Sequence, residues 1–96
     1  MEDKAKIVAE LLKILANENR LLILCALIEG EKTVNEIAGF VPKITQPALS
    51  QHLSLLKTAG ILRSDKQGVY VAYSIADLRV TEVIATLKKY YCEEGD

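Results

Sequence analysis

Apolar residues recur along this chain at helical spacing, with one switch to strict alternation late in the sequence. Over residues 3–16, Ile7, Val8, Leu11, Leu12 and Leu15 recur at helical spacing with Lys4, Lys6, Glu10 and Lys13 between them, which predicts an amphipathic helix. Asn17-Glu18-Asn19 interrupts with residues that favour turns and caps. Arg20 to Glu29 then reads as a helix apolar nearly all round, one that needs cover on several sides. Gly30 ends it, Glu31 and Lys32 predict a turn, and Thr33-Val34-Asn35-Glu36 is a capping box opening a short helix to about Gly39 or Phe40. Pro42 cannot continue that helix, so a tight connection leads to the next.

The next helix, from Thr45 to Gly60, has the clearest ends. Thr45 is a good N-cap, Pro47 sits in the first turn where its missing N–H costs nothing, and Gly60 can close the helix in a left-handed conformation. Leu49, Leu53 and Leu56 form a stripe toward a core. Gln46, Ser50, Gln51, Ser54, Lys57 and Thr58 fill the opposite face, where an ordinary solvated helix would mix Glu with Lys. No acid occurs from Ile37 through Ser64, a stretch of 28 residues where even spacing of the chain's 13 acids would place roughly four. A surface without carboxylates suits a polyanion, and a short helix, a turn and a second helix with a polar face is the arrangement in which the second helix enters the major groove of DNA.

After Gly60 the period becomes two. Ile61 to Asp65 and Val69 to Ile75 predict a two-stranded hairpin turning at Lys66-Gln67-Gly68, with Val69, Val71, Tyr73 and Ile75 on one face. Such a hairpin must pack beside the helices, and Arg63, Lys66 and Gln67 can then reach a phosphate or groove as a wing. Asp77 caps a last helix whose stripe of Val80, Val83, Ile84, Leu87 and Tyr91 ends near Cys92. That stripe outruns the core available, so the first and last helices are expected to pair two copies across a two-fold axis. The expected fold is α+β, mostly α: a single winged helix-turn-helix domain over residues 1–96, with four helices, two strands and a fifth helix in order. A homodimer would set two reading helices about 34 Å apart, matched to a palindromic double-stranded operator.

Composition refines this picture without redirecting it. Ninety-six residues, half of them apolar, suffice for one modest core, and the longest apolar run, Leu21 to Ile28, is too short to span a bilayer. Met1-Glu2-Asp3-Lys4-Ala5-Lys6 has no apolar targeting core, so a cytoplasmic location and no membrane partner are expected. The net charge of −1 is unevenly placed: residues 43–73 carry +3, while residues 1–42 and 74–96 each carry −2. Attraction to phosphate depends on charges within about 8 to 10 Å, so the distant acids weaken it little.

The segments Ala16-Asn17-Glu18-Asn19-Arg20-Leu21-Leu22-Ile23-Leu24 and Gln46-Pro47-Ala48-Leu49-Ser50-Gln51-His52-Leu53-Ser54-Leu55-Leu56, set in this order of helices and hairpin, resemble the ArsR/SmtB family of winged-helix repressors over essentially the whole chain. The resemblance implies a homodimer that represses transcription, with DNA contacts from Gln46, Pro47, Ser50, Gln51 and the wing. Phe40-Val41-Pro42-Lys43-Ile44 departs from the family pattern by about one extra residue. The family's metal sensors use Cys-x-Cys or paired acids and histidines, and neither is present; no metal or other cofactor is expected, although two thiolates could hold a soft ion or a thiophilic arsenical.

Cys25 in the second helix reads as packing and Cys92 as an incidental thiol near a helix end. Their setting, Leu24-Cys25-Ala26-Leu27 and Tyr90-Tyr91-Cys92-Glu93-Glu94, resembles the SqrR/BigR/HlyU-like dithiol branch of the family. That resemblance implies redox sensing through Cys25 and Cys92, bridged by a disulfide or polysulfide when reactive sulfur species or an oxidant acts as inducer. Lys88 and Lys89 favour a Cys92 thiolate, while Glu93, Glu94 and the helix dipole oppose it. An enzyme is not expected: there is no Cys-x-x-Cys, no glycine-rich phosphate loop, and a single His, His52.

Overall fold

The computed structural model describes residues 1–93, without the side chains of Cys92 and Glu93. In chain order its elements are α1 (Glu2–Leu15), α2 (Glu18–Leu27), β1 (Lys32–Thr33), α3 (Val34–Ala38), α4 (Gln46–Thr58), β2 (Leu62–Gln67), β3 (Tyr70–Ile75) and α5 (Leu78–Lys88). A π-helical turn over Lys89–Glu93 extends α5. The helix starts follow from their caps. Asn17 accepts from the Arg20 N–H at 3.1 Å, so α2 begins at Glu18, three residues before the apolar run. Thr33 and Glu36 cap one another reciprocally at 3.3 and 2.8 Å, Thr45 accepts from the Ala48 N–H at 3.3 Å, and Asp77 accepts from the Arg79 N–H at 2.9 Å.

The core gathers round α2. Ile23, Leu24 and Leu27 meet Ile37 of α3, Leu49, Leu53 and Leu56 of α4, Ile61 and Leu62 at the start of β2, and Val80 and Ile84 of α5. The three leucines of α4 fix which way the helix rolls, and this roll turns its polar face outward. Gly60, at φ +79°, reverses the chain out of α4 into β2 in a conformation that an L side chain rarely adopts.

The wing has three strands where alternation predicted two. The sheet order is β1-β3-β2, antiparallel throughout, with Lys32 opposite Tyr73 and Thr33 opposite Ala72. Lys32 and Thr33 form an edge strand and not a turn, because the outer edge of β3 offers unpaired backbone groups beside the capping box. Two residues are too few to carry a period. The hairpin tip also lies further out than predicted: Gln67 pairs with Tyr70, leaving Gly68 and Val69 as the loop, with Gly68 at φ +64° in its first position.

The expected inward face of β3 is only half realised. Tyr73 and Ile75 pack on the core, but Val71 is exposed and Val69 is 90% exposed, while Ala72 on the other face is buried. The hairpin outreaches the helices, so its distal residues have nothing to pack against. Helices α1 and α5 repeat this pattern. Leu15 is the buried residue of α1, and Val80 and Ile84 are those of α5, leaving Ile7, Val8, Leu12, Val83, Leu87, Tyr90 and Tyr91 exposed. Among the described residues, no helix is long and apolar enough to cross a membrane.

Candidate nucleic-acid interface

With its leucines buried, α4 presents Gln46, Pro47, Ser50, Gln51, Ser54 and Lys57 to solvent as one continuous strip along the helix. Thr45 is exposed at its N-terminus, with its hydroxyl occupied in the cap. Gln51 and Ser54 also line an open cleft whose far wall is Glu10, Lys13 and Ile14 of α1. The strip carries hydrogen-bonding amides and hydroxyls, one ammonium and no carboxylate, a set suited to base edges and phosphates.

The remaining predicted residues lie on β2, all exposed. Arg63 donates through Nε to the Ser74 hydroxyl at 3.2 Å, which holds its guanidinium along the sheet. Lys66 is exposed, with Asp65 beside it in sequence. Gln67 is engaged: its amide donates to the Glu31 carboxylate at 2.8 Å. Glu31 therefore sits against the wing, a carboxylate that sequence reasoning placed in a remote turn.

A second feature was not anticipated. Arg20, on α2, donates through Nε to His52 Nδ1 on α4 at 3.3 Å and through Nη1 to the Ile14 carbonyl of α1 at 3.1 Å. Burial first, and the Arg20 charge second, hold the His52 imidazole below its ordinary pKa of 6.5. Arg20 and His52 are 32 residues apart, and no local signal links them.

Cys25 is half-buried and lines an apolar cavity of about 320 Å³ with Leu21, Leu22, Ile84, Leu87 and Tyr91. Lys88 spans the rim, donating to the Cys25 carbonyl at 3.3 Å and pairing with Glu29 at 3.1 Å. That ammonium holds the Glu29 carboxyl below the usual carboxylate range, so Lys88, one of the two lysines expected to act on Cys92, is already engaged with α2. The backbone of Cys92 lies in the π-helical turn, while its side chain, and hence the pairing with Cys25, falls outside the described residues. Among the described residues, no group of three or more His, Cys, Asp or Glu side chains converges as a metal site.

A helix-turn-helix whose second helix rolls an acid-free polar strip outward, followed by a β-hairpin wing, defines a winged-helix DNA-binding protein. Residues 17–64 match the family described as bacterial regulatory protein, arsR family. The chain belongs to that family. It is 37% identical over 93 residues to the transcriptional activator HlyU of Vibrio cholerae, covering 97% of this chain and 85% of that one. It is 33% identical over 94 residues to the biofilm growth-associated repressor of Xylella fastidiosa, covering 98% and 82%. The structure of reduced HlyU from Vibrio cholerae superposes with a TM-score of 0.90 at 36% identity, covering 97% of both chains. The repressor BigR from Xylella fastidiosa superposes with a TM-score of 0.86 at 34% identity, covering 96% of this chain and 93% of that one. The chain is thus a transcriptional regulator of the HlyU and BigR kind, and its relatives are regulators rather than enzymes.

Proposed function

We propose that residues 1–96 act as one winged-helix unit that pairs through α1 and α5 and sets two copies of α4 into successive major grooves of a palindromic operator. Thr45, Gln46, Pro47, Ser50, Gln51 and Ser54 face the bases and the adjacent backbone, and Lys57, Arg63, Lys66 and Gln67 meet phosphates. The observation that carries this reading is the outward, carboxylate-free strip of α4 above three buried leucines. The exposed apolar residues of α1 and α5 support the pairing. Reactive sulfur species or an oxidant bridging Cys25 and Cys92 would tie α2, the centre of the core, to the end of α5, and so lower operator affinity. Coupling of this kind amounts to about 1–3 kcal/mol, and bound DNA must then disfavour the bridge by the same amount.

The named relatives carry both signs, an activator and a repressor, so a second reading keeps the same DNA contacts but lifts silencing by another protein. Gel shift on the DNA immediately upstream of its own coding sequence tests the scheme. Joint replacement of Gln46, Ser50 and Gln51 by alanine is expected to abolish sequence-selective binding. Cys25→Ser or Cys92→Ser is expected to bind normally and to ignore persulfide. Selective binding by the triple variant would refute the reading strip, and a full persulfide response in either serine variant would refute the dithiol switch.

A further inference from the structure

Arg20 occupies an unusual position in this fold, because its guanidinium joins three helices that otherwise meet mainly through apolar contacts. Its Nη1 holds the last turn of α1 at the Ile14 carbonyl, its own backbone N–H completes the α2 cap on Asn17, and its Nε reaches His52 in the middle of α4. We propose that Arg20 is a positioning residue that fixes the pitch of α4 against α1, and that it does so only while the His52 ring is neutral, so that acidification loosens the grip on DNA. This rests on the reading that α4 enters the groove.

The chemistry leaves little choice. A guanidinium has five N–H donors, no acceptor, and a charge it does not lose, so His52 must present a lone pair at Nδ1 and carry its hydrogen on Nε2. Protonation removes that lone pair and places an imidazolium 3.3 Å from the guanidinium. Among the described residues, the one charge that acts on the His52 ring is that of Arg20; Glu18 of α2 is near Arg20 in sequence, and Glu36 of α3 is held in the capping box with Thr33. Among the residues lining the cleft between α1 and α4, Glu10 is the one acid, and it pairs with Lys13 at 3.8 Å. Helix α4 itself carries Lys57 and no acid, and β2, which also packs on α4, carries Arg63, Asp65 and Lys66, all exposed. Burial and the Arg20 charge both disfavour protonation, so the contact is intact at and above the ordinary histidine value of 6.5 and is lost as pH falls through the lowered one.

The sign separates this contact from a histidine merely close to phosphates. An imidazolium beside a polyanion would tighten binding on acidification, whereas here it is expected to weaken it. Two measurements test the idea. Because His52 is the only histidine, its ring nitrogens give an unambiguous NMR signal. The Nε2–H tautomer is expected at pH 7.5, and Arg20→Gln is expected to move the titration upward toward 6.5. Fluorescence anisotropy with a duplex of the upstream DNA, at fixed salt, compares affinity at pH 7.5 and 5.5. The wild-type protein is expected to weaken about fivefold or more relative to His52→Gln, whose amide oxygen can accept from Arg20 at both pH values. An Nδ1–H tautomer, a titration unmoved by Arg20→Gln, or equal pH ratios in the two proteins would overturn the proposal. Failure to bind any genomic duplex at pH 7.5 and low salt would instead refute the groove-reading role and its consequence for DNA, while the ring titration, which needs no DNA, still judges the contact.

Discussion

On the proposed pairing through α1 and α5, replacing Leu87 with glutamate is expected to abolish dimer formation without unfolding the protomer. Leu87 lies where three apolar depressions meet, against Leu21 and Tyr91 on one side, Leu12 and Leu15 on another, and Val83 beyond. It remains 43% exposed in the single chain, so a carboxylate at this position can reach water and the folded protomer loses little. Pairing through α1 and α5 would close that route. Burying the exposed part of a leucine is worth about 1 kcal/mol, and stripping water from a carboxylate costs several more. The change occurs once in each protomer, so with about 3 kcal/mol for the carboxylate roughly 8 kcal/mol is lost per dimer, about a 10⁶-fold rise in the dissociation constant. Sedimentation equilibrium at micromolar concentration reads the assembly state, and circular dichroism melts read the fold. A Leu87→Glu protein that stays dimeric with an unchanged melting temperature would show that the pair forms through another face.

Two further changes probe how α4 and α5 are held. Leu53→Ala empties a site that is 1% exposed beneath the reading strip; a loss of about 2–5 kcal/mol in urea unfolding is expected, and a loss under 1 kcal/mol would mean that α4 is not seated by its leucines. The Lys88 ion pair holds Glu29 below its ordinary pKa of 4.5, so its support is present above that value and is lost as pH falls through the lowered one. Thermal melts between pH 6 and pH 3 are expected to fall less steeply for Glu29→Gln than for wild type, and identical slopes would remove the α2–α5 tie from the account.

Much of this architecture was legible because helices announce their ends. Asn17, Thr33, Thr45 and Asp77 all cap as their side chains suggest, and Leu49, Leu53 and Leu56 bury the face that their spacing defines. Periodicity names a face but not what covers it. The same reasoning therefore placed Val69 and Val71 toward the core, where the structure leaves them in solvent. β1 escaped notice because a two-residue strand has no pattern of its own and exists only through β3. The contacts of Arg20 with His52 and of Gln67 with Glu31 join residues 32 and 36 positions apart, distances over which a single sequence carries no register. The ten proposed DNA residues were chosen from helical phase, missing acids, the hairpin tip and the family resemblance together, but whether each side chain was free or already engaged required coordinates.

Strand β1 has a consequence for protein engineering. It comes from the connection between α2 and α3, yet it hydrogen-bonds to the hairpin, and Glu31 just before it grips Gln67 near the tip. The wing is therefore stitched into the helical body at both its base and its rim, and is no detachable flap. A graft that swaps residues 62–75 for the hairpin of a relative would leave a severed seam unless residues 31–33 travel with it.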